Sequence, residues 1–139
     1  MPKLPTDLQI LEDIYKSYYP VFELFTKETP DRSSKNYVPI DIKQIARHFD
    51  IDADIVFGRL YYYLDKKYGF VQSDGTKVPF FTVQAGKDRH AIQFPLLSSV
   101  LAQMREERNK HLWGITLSVI AIIISAVSLG ISILNRIPR

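Results

Sequence analysis

Residues 112–134 form a run of 23 residues that contains no charged side chain. As an α-helix this run would be roughly 34 Å long, at about 1.5 Å per residue, and the hydrocarbon core of a bilayer is about 30 Å thick. We therefore predict one transmembrane helix over residues 112–135, followed by a short tail at residues 136–139. The residues predicted to anchor it at the membrane interfaces are basic or aromatic: Arg105, Arg108, Lys110, Trp113 and Arg136.

The N-terminal region predicts how this span is oriented. Lys3, Asp7 and Glu12 interrupt any apolar stretch near the N-terminus, so we expect no secretory signal peptide. We therefore expect a tail-anchored, single-pass protein whose N-terminal domain is cytoplasmic and whose C-terminus lies on the opposite side of the membrane. The basic residues that flank the span, three before it and two after it, agree with this orientation but barely decide it.

Charge and composition argue against several functional classes. Residues 1–111 carry 16 Lys and Arg and 15 Asp and Glu, a net charge of +1, which is not the basic footprint of a typical DNA-binding domain. The chain has no cysteine, which excludes disulfides and thiolate metal sites. His48, His90 and His111 fall on separate predicted elements, and no catalytic or nucleotide-binding motif occurs. We expect no enzyme activity, no cofactor, no metal and no small-molecule substrate.

Local signals predict the first elements of the chain. Thr6 and Gln9 have the spacing of a capping box and should begin an amphipathic helix. Pro20 should kink this helix or divide it after the preceding residue. The polar segment at residues 27–36 has no apolar anchor and is predicted to be a mobile loop, and residues 37–40 are predicted to form a short strand.

Aspartates mark the start of the next two predicted helices. Asp41 can cap a short helix, and after a tight turn Asp52 or Asp54 can cap another that ends at Gly69. The residues of this later helix that we expect to face inward are Val56, Leu60, Tyr63 and Leu64.

The order of predicted elements resembles a winged-helix domain. A β-hairpin with strands at residues 78–85 and 90–94 and a turn at 86–89 follows the helices, so the order is helix, strand, helix, turn, helix and hairpin. The resemblance covers residues 6–95 of a domain predicted at residues 1–95 and lies in the order of elements, not in a sequence signature. It implies an α+β fold, mostly helical, in which a long juxtamembrane helix at residues 96–111 continues into the transmembrane helix.

In a winged helix, the later helix and the hairpin are the surfaces that read DNA, and this chain carries candidates on both. The predicted face of the recognition helix contains Ile55, Arg59, Tyr62 and Lys66. The predicted wing contacts are Lys77, Lys87 and Arg89. Against this interpretation, Asp50, Asp52 and Asp54 crowd the helix end that would approach the bases, where carboxylates repel phosphate. We therefore expect this domain to bind a protein partner, and DNA is the less favoured alternative.

Small residues recur along the predicted membrane helix at steps of three and four. They are Gly114, Ser118, Ala121, Ser125, Ser128 and Ser132, and we call this set the seam. Small side chains let two membrane helices approach closely, so the seam predicts a homo-oligomer interface. The alternative is that such residues are simply tolerated in membrane helices.

Three functions fit these features. The first is a non-enzymatic, membrane-tethered adaptor or regulator that binds a protein partner at the cytoplasmic face and self-associates through its membrane helix. The second is a membrane-acting effector or toxin, with a layout like that of phage-defence proteins, whose helices assemble to permeabilise the bilayer. The third is an accessory subunit of a larger membrane complex. Residues 66–111 carry a net charge of +4, which also favours contact with anionic lipid.

Overall fold

The computed structural model describes residues 4–134, which form an α+β fold with small sheets and one long C-terminal helix. The helices are α1 (Asp7–Glu23), α2 (Ile42–His48), α3 (Ala53–Gly58), a π-helix (Arg59–Leu64), α4 (Asp65–Tyr68) and α5 (Phe94–Leu134). The strands are β1 (Tyr37–Pro39), β2 (Phe70–Val71), β3 (Lys77–Val78), β4 (Phe81–Ala85) and β5 (Asp88–Gln93). The chain divides into two compact units between Ala102 and Gln103.

The helix starts follow from the side chains that the sequence places there. Thr6 and Gln9 form the predicted capping box at the start of α1. Asp41 accepts hydrogen bonds from the first backbone N–H groups of α2, and Asp52 caps α3 in the same way. Gly69 ends α4, and a side chain at this position would meet the Asp65 carbonyl oxygen at 2.6 Å.

The larger sheet is antiparallel, and its strand order is β1-β5-β4. Ile92 of β5 lies opposite Val38 on one side and Phe81 on the other, and all three are buried. β2 and β3 form a separate two-stranded sheet. The ladder between β4 and β5 skips the pair that would include His90, which has a left-handed backbone (φ 52°).

The core of the first unit collects apolar side chains from most of these elements. Its largest fully buried members are Phe80, Phe81, Phe94, Ile10, Leu11, Ile14, Ile45, Leu60, Leu64, Ile92, Leu97 and Val38. Phe94, at the start of α5, stacks on Tyr15 and Phe22 of α1. The first turns of α5 therefore belong to this core.

At Pro20 one of the two expected outcomes is excluded, and the expectation for Tyr63 is wrong. Pro20 lies inside α1, which continues to Glu23 and is not divided. Proline here removes a single hydrogen bond near the helix end, where the loss is small. Tyr63 is 50% exposed and does not join the core. A π-helix has more residues per turn than an α-helix, so the three consecutive tyrosines cover a narrower arc of the helix surface and all lie on its exposed side.

The segment at residues 27–36 is held to the domain by Arg32. The Arg32 side chain is 3% exposed, and its guanidinium lies 4.8 Å from the Phe25 ring centre. The guanidinium donates hydrogen bonds to the backbone carbonyls of Val21, Ser34 and Lys35. The predicted mobile loop is therefore folded around a buried cation.

The second unit begins at Gln103 and contains the apolar part of α5. Within residues 4–134, α5 is the one helix that is long and apolar enough to cross a membrane. Its side chains from Arg105 to Ile133 are exposed in the isolated chain. An apolar surface of this extent needs a cover of lipid or protein.

Candidate functional site

Residues 53–68, which span α3, the π-helix and α4, carry the predicted recognition face. Ile55, Tyr62 and Lys66 of that face are exposed, and Tyr62 is the most open at 71%. Arg59 differs from the other three, because its side chain is 30% exposed and turned onto α1.

Arg59 is engaged within the domain. Its Nε atom lies 2.7 Å from Asp7 Oδ1, and its Nη1 atom donates a hydrogen bond of 3.0 Å to the carbonyl of Pro5. Asp7 Oδ1 is buried and accepts no aligned hydrogen bond from the described residues, so this ion pair is electrostatic. These contacts hold the start of α1 against the π-helix, which carries Arg59. They also occupy the guanidinium, which is then not free to bind an external ligand.

The N-terminal end of α3 is acidic. Asp52 Oδ1 accepts a hydrogen bond of 2.7 Å from the Asp54 backbone N–H, which satisfies the helix start. Asp50 precedes this cap with a left-handed backbone (φ 53°), and all three aspartates are exposed. The negative charge of these aspartates offsets the positive end of the α3 dipole, which would otherwise attract an anion.

The turn between β4 and β5 is tied to the segment at residues 27–36. Ser33 Oγ accepts a hydrogen bond of 3.1 Å from the Lys87 backbone N–H, and the Ser33 N–H donates one of 2.7 Å to Asp88 Oδ2. Gly86 has φ 60°, and a side chain there would meet Ser33 Oγ at 2.6 Å. The hairpin tip is therefore packed against the domain.

The structure separates the three predicted wing contacts. Lys87 lies in the hairpin turn and Arg89 on β5, whereas Lys77 lies on β3 of the two-stranded sheet. All three side chains are exposed. Lys77 instead shares a hollow with the tyrosines of the π-helix.

Lys67 is held by neighbouring tyrosines. Its ammonium lies 5.1 Å from the ring centre of Tyr68 and 5.7 Å from that of Tyr63. Contact with the Tyr68 hydroxyl, with a smaller contribution from Tyr63, raises the pKa of the Lys67 ammonium. Lys66, one residue earlier, has no such partner among the described residues and extends into solvent.

Three aromatic side chains, Phe57, Tyr61 and Tyr62, form what we call the aromatic ridge. The Phe57 and Tyr61 rings stack with centres 5.4 Å apart, and Tyr62 meets Tyr61 edge-on at 5.0 Å. Tyr62 and Tyr61 are 71% and 40% exposed. The sequence interpretation missed Phe57, although its position four residues before Tyr61 on a predicted helix was a usable signal.

A hollow of about 620 Å³ lies against Phe57 of the ridge, and we call it the first hollow. Phe57 and apolar residues of α2 and α3 line it, and the Lys43 and Arg89 side chains border it. The His90 ring also lines it, stacked beside Phe81 at 6.3 Å. None of Phe57, Lys43 and His90 was among the predicted contact residues.

A second hollow, of about 570 Å³, lies against Tyr61 and Tyr62 of the ridge, between the π-helix and β4. Tyr61, Tyr62, Lys77 and Val83 line it. It adjoins a smaller depression that shares Tyr61 and Lys77 and adds Lys66, Phe70 and Val71. Phe70 is 46% and Val71 64% exposed, so this surface is strongly apolar for an aqueous face.

The seam residues of α5 are all exposed in the isolated chain. The hydroxyls of Ser118, Ser125 and Ser128 each donate to the carbonyl four residues earlier, at 2.9–3.0 Å. These hydroxyls are therefore satisfied within their own helix, and the seam offers close approach more than cross-helix hydrogen bonds.

Three of the predicted interface anchors precede the apolar run on α5, and Trp113 lies at its start. Arg105, Arg108, Lys110 and Trp113 are exposed, and Trp113 is 69% exposed. The Glu106 carboxylate lies 2.7 Å from the Lys110 ammonium, which raises the pKa of that lysine. Arg136 and the tail at 136–139 lie outside the described residues.

Residues 4–134 contain no group of three His, Asp or Glu side chains arranged to hold a metal ion. His48 instead faces Asp13, with its Nδ1 2.9 Å from Oδ2. Comparisons with family models, curated proteins and solved structures find no match to this chain.

Proposed function

We propose that this chain is a membrane-tethered winged-helix module that binds a protein partner at the cytoplasmic face and self-associates through α5. The element order and the β1-β5-β4 sheet, in which the early strand pairs with the second strand of the hairpin, support the winged-helix assignment. The candidate span in α5 supports the tether.

One observation carries the preference for protein over DNA. In the helix at the recognition position, Arg59 contacts Asp7 and Pro5 within the domain. The same helix exposes Tyr61 and Tyr62 to solvent. Exposed tyrosines are typical of protein contact surfaces, whereas DNA readers present arginine and lysine to bases and phosphates. The acidic start of α3 and the packed hairpin tip add to this preference.

Site-specific photo-crosslinking tests the function. A photoreactive amino acid is placed at Tyr62 or at Lys16, an exposed position on α1, in the full chain in its native membrane. We expect discrete protein adducts from Tyr62 that survive nuclease treatment. Adducts that nuclease removes, or the absence of protein adducts at both positions, would refute protein binding.

DNA binding is tested on the same chain in lipid nanodiscs. We expect no duplex to bind more tightly than the non-specific range of roughly 10⁻⁴ to 10⁻⁶ M at physiological salt. Arg59→Ala should leave this weak affinity unchanged, since Arg59 is engaged within the domain. A sequence-specific complex that Arg59→Ala abolishes would restore the DNA interpretation.

The effector alternative makes a different prediction in cells. A helix assembly that permeabilises the bilayer would collapse the membrane potential when the full chain is induced, whereas an adaptor would not. We expect a stable potential, and depolarisation that requires α5 would favour the effector.

A further inference from the structure

We infer that the aromatic ridge and its two hollows bind an acidic peptide segment of the partner, with apolar side chains that enter the hollows. The inference rests on the proposed protein-binding function and adds to it the site and the chemistry of the bound segment.

The shape of this face fits side-chain anchors. Phe57 lines the first hollow and Tyr61 lines the second, and the two rings stack 5.4 Å apart, so two apolar side chains of one segment can occupy both hollows. Hollows of this size, lined by a mixture of apolar and polar groups, can accept the anchor residues of a bound segment. Val83 and Tyr62 border the second hollow and remain exposed, which leaves further apolar surface to cover.

The charge of this face selects an acidic segment. Lys43 and Arg89 border the first hollow, and Lys77 and Lys66 border the second hollow and its adjoining depression. All four are exposed and form no ion pair with any residue between 4 and 134. Carboxylates that flank the anchors would complement them.

The carboxylates around the hollows are mostly engaged. Asp65 Oδ1 accepts the backbone N–H groups of Phe80 and Phe81, and Asp41 Oδ1 caps α2. Asp54 is the remaining carboxylate at the rim of the first hollow. These hydrogen bonds leave the carboxylates charged, so the four cations exceed the three carboxylates of the lining by one charge.

Other polyanions fit this face less well. Asp50 and Asp52 lie beside Asp54 at the start of α3 and would repel a uniformly charged duplex. A lipid surface is broad and nearly flat and has no side chain to place in the two shallow hollows of this face. A peptide can place its charges and its anchors separately, so it fits both features.

A random peptide library displayed on phage tests the inference. The target is the full chain in nanodiscs of zwitterionic lipid, and the enriched peptides are synthesised for affinity measurement. We expect them to carry Asp or Glu around aromatic or aliphatic anchors. Their affinity should fall on the order of tenfold with Lys77→Glu and similarly with Tyr62→Ala. Lys16→Glu, an exposed charge reversal on α1, should leave it within about twofold.

Several outcomes would overturn the inference. They are enrichment of basic peptides, no enrichment at all, and equal binding to wild type and Lys77→Glu. Competition by duplex DNA, or by vesicles of anionic phosphatidylglycerol, would assign the face to those ligands instead. If protein adducts form at Lys16 while the peptides ignore both ridge variants, protein binding stands and only this inference falls.

Discussion

Arg32 and Arg59 are both used to hold the domain together, although the sequence offers both as free cations. The Arg32 guanidinium bonds the Val21 carbonyl of α1 and two carbonyls within the segment at residues 27–36, and Arg59 joins α1 to the π-helix. A guanidinium has several donors in a fixed plane, so one side chain can satisfy carbonyls that arrive from different directions. Among the arginines of the domain, this leaves Arg47 and Arg89 to add to the lysines as exposed positive charge.

Replacement of Arg32 by alanine should destabilise the first unit by about 2–4 kcal/mol, because buried carbonyls lose a charged donor. Urea unfolding of the full chain in mild detergent, followed by near-ultraviolet circular dichroism, measures the loss. Limited proteolysis should also cut residues 27–36 faster. Lys27→Ala, at an exposed position in the same segment, should change neither measurement. Equal stability of Arg32→Ala and Lys27→Ala would show that the segment is held in another way.

At the scale of single elements, local signals predict helix starts well and side-chain partners poorly. Asp41 and Asp52 cap the helices they were expected to cap, because a cap depends on the next three residues. Arg59 bonds a residue 54 positions away, and no local pattern encodes that partner. No local pattern predicted the π-helix either. Tyr63, which was expected in the core, lies in this π-helix and is exposed.

In the candidate site, too, local patterns predicted which helix residues are exposed but not which residues surround them. Tyr62 and Lys66 were expected on an exposed helical stripe and are exposed. The hollows depend on how β4, β5 and α2 pack around that helix, so Phe57, Lys43 and Val83 were not anticipated. Lys77 was assigned to the hairpin, since the short two-stranded sheet of β2 and β3 was not predicted.

The seam of α5 yields a prediction at the same scale. Ser125→Leu should disrupt self-association, because a large side chain blocks close approach of the helices. Gly130→Leu is the matched control, since residue 130 lies about 160° around the helix from Gly114 at about 100° per residue. Ser125→Ala should be mild, because its hydroxyl already bonds the Ala121 carbonyl. Crosslinking of the full chain in membranes measures the oligomer.

The Gly130→Leu control shows whether the seam is a helix–helix interface. If Ser125→Leu and Gly130→Leu weaken the oligomer equally, the small residues do not define an interface. If the isolated chain does not self-associate at all, a different membrane protein is the partner, which favours the accessory-subunit alternative.

At the scale of the whole molecule, the two units should behave differently when they are separated. The buried core ends at Leu101, so a chain that stops at Lys110 keeps all of it and loses the apolar run. We expect this shorter chain in the soluble fraction, with its fold intact by circular dichroism. The full chain should stay with membranes through alkaline carbonate and high salt, because roughly 20 apolar residues suffice to span a bilayer. Release of the full chain by salt alone would rule out the anchor.

The serine hydroxyls of α5 also affect the helix itself. Ser118, Ser125 and Ser128 each place a second donor on a backbone carbonyl of the same face. A carbonyl shared in this way gives its own helical partner a weaker bond, and such sharing tends to bend a helix. Three of the four carbonyls shared in this way among the described residues of the apolar run lie on the seam side, while the fourth, that of Leu112, lies on another face, so the seam side of α5 is the easier one to open and curve. The bending stiffness of the helix is then lowest along the line on which a neighbouring helix would press, so supercoiling around that neighbour costs little elastic energy.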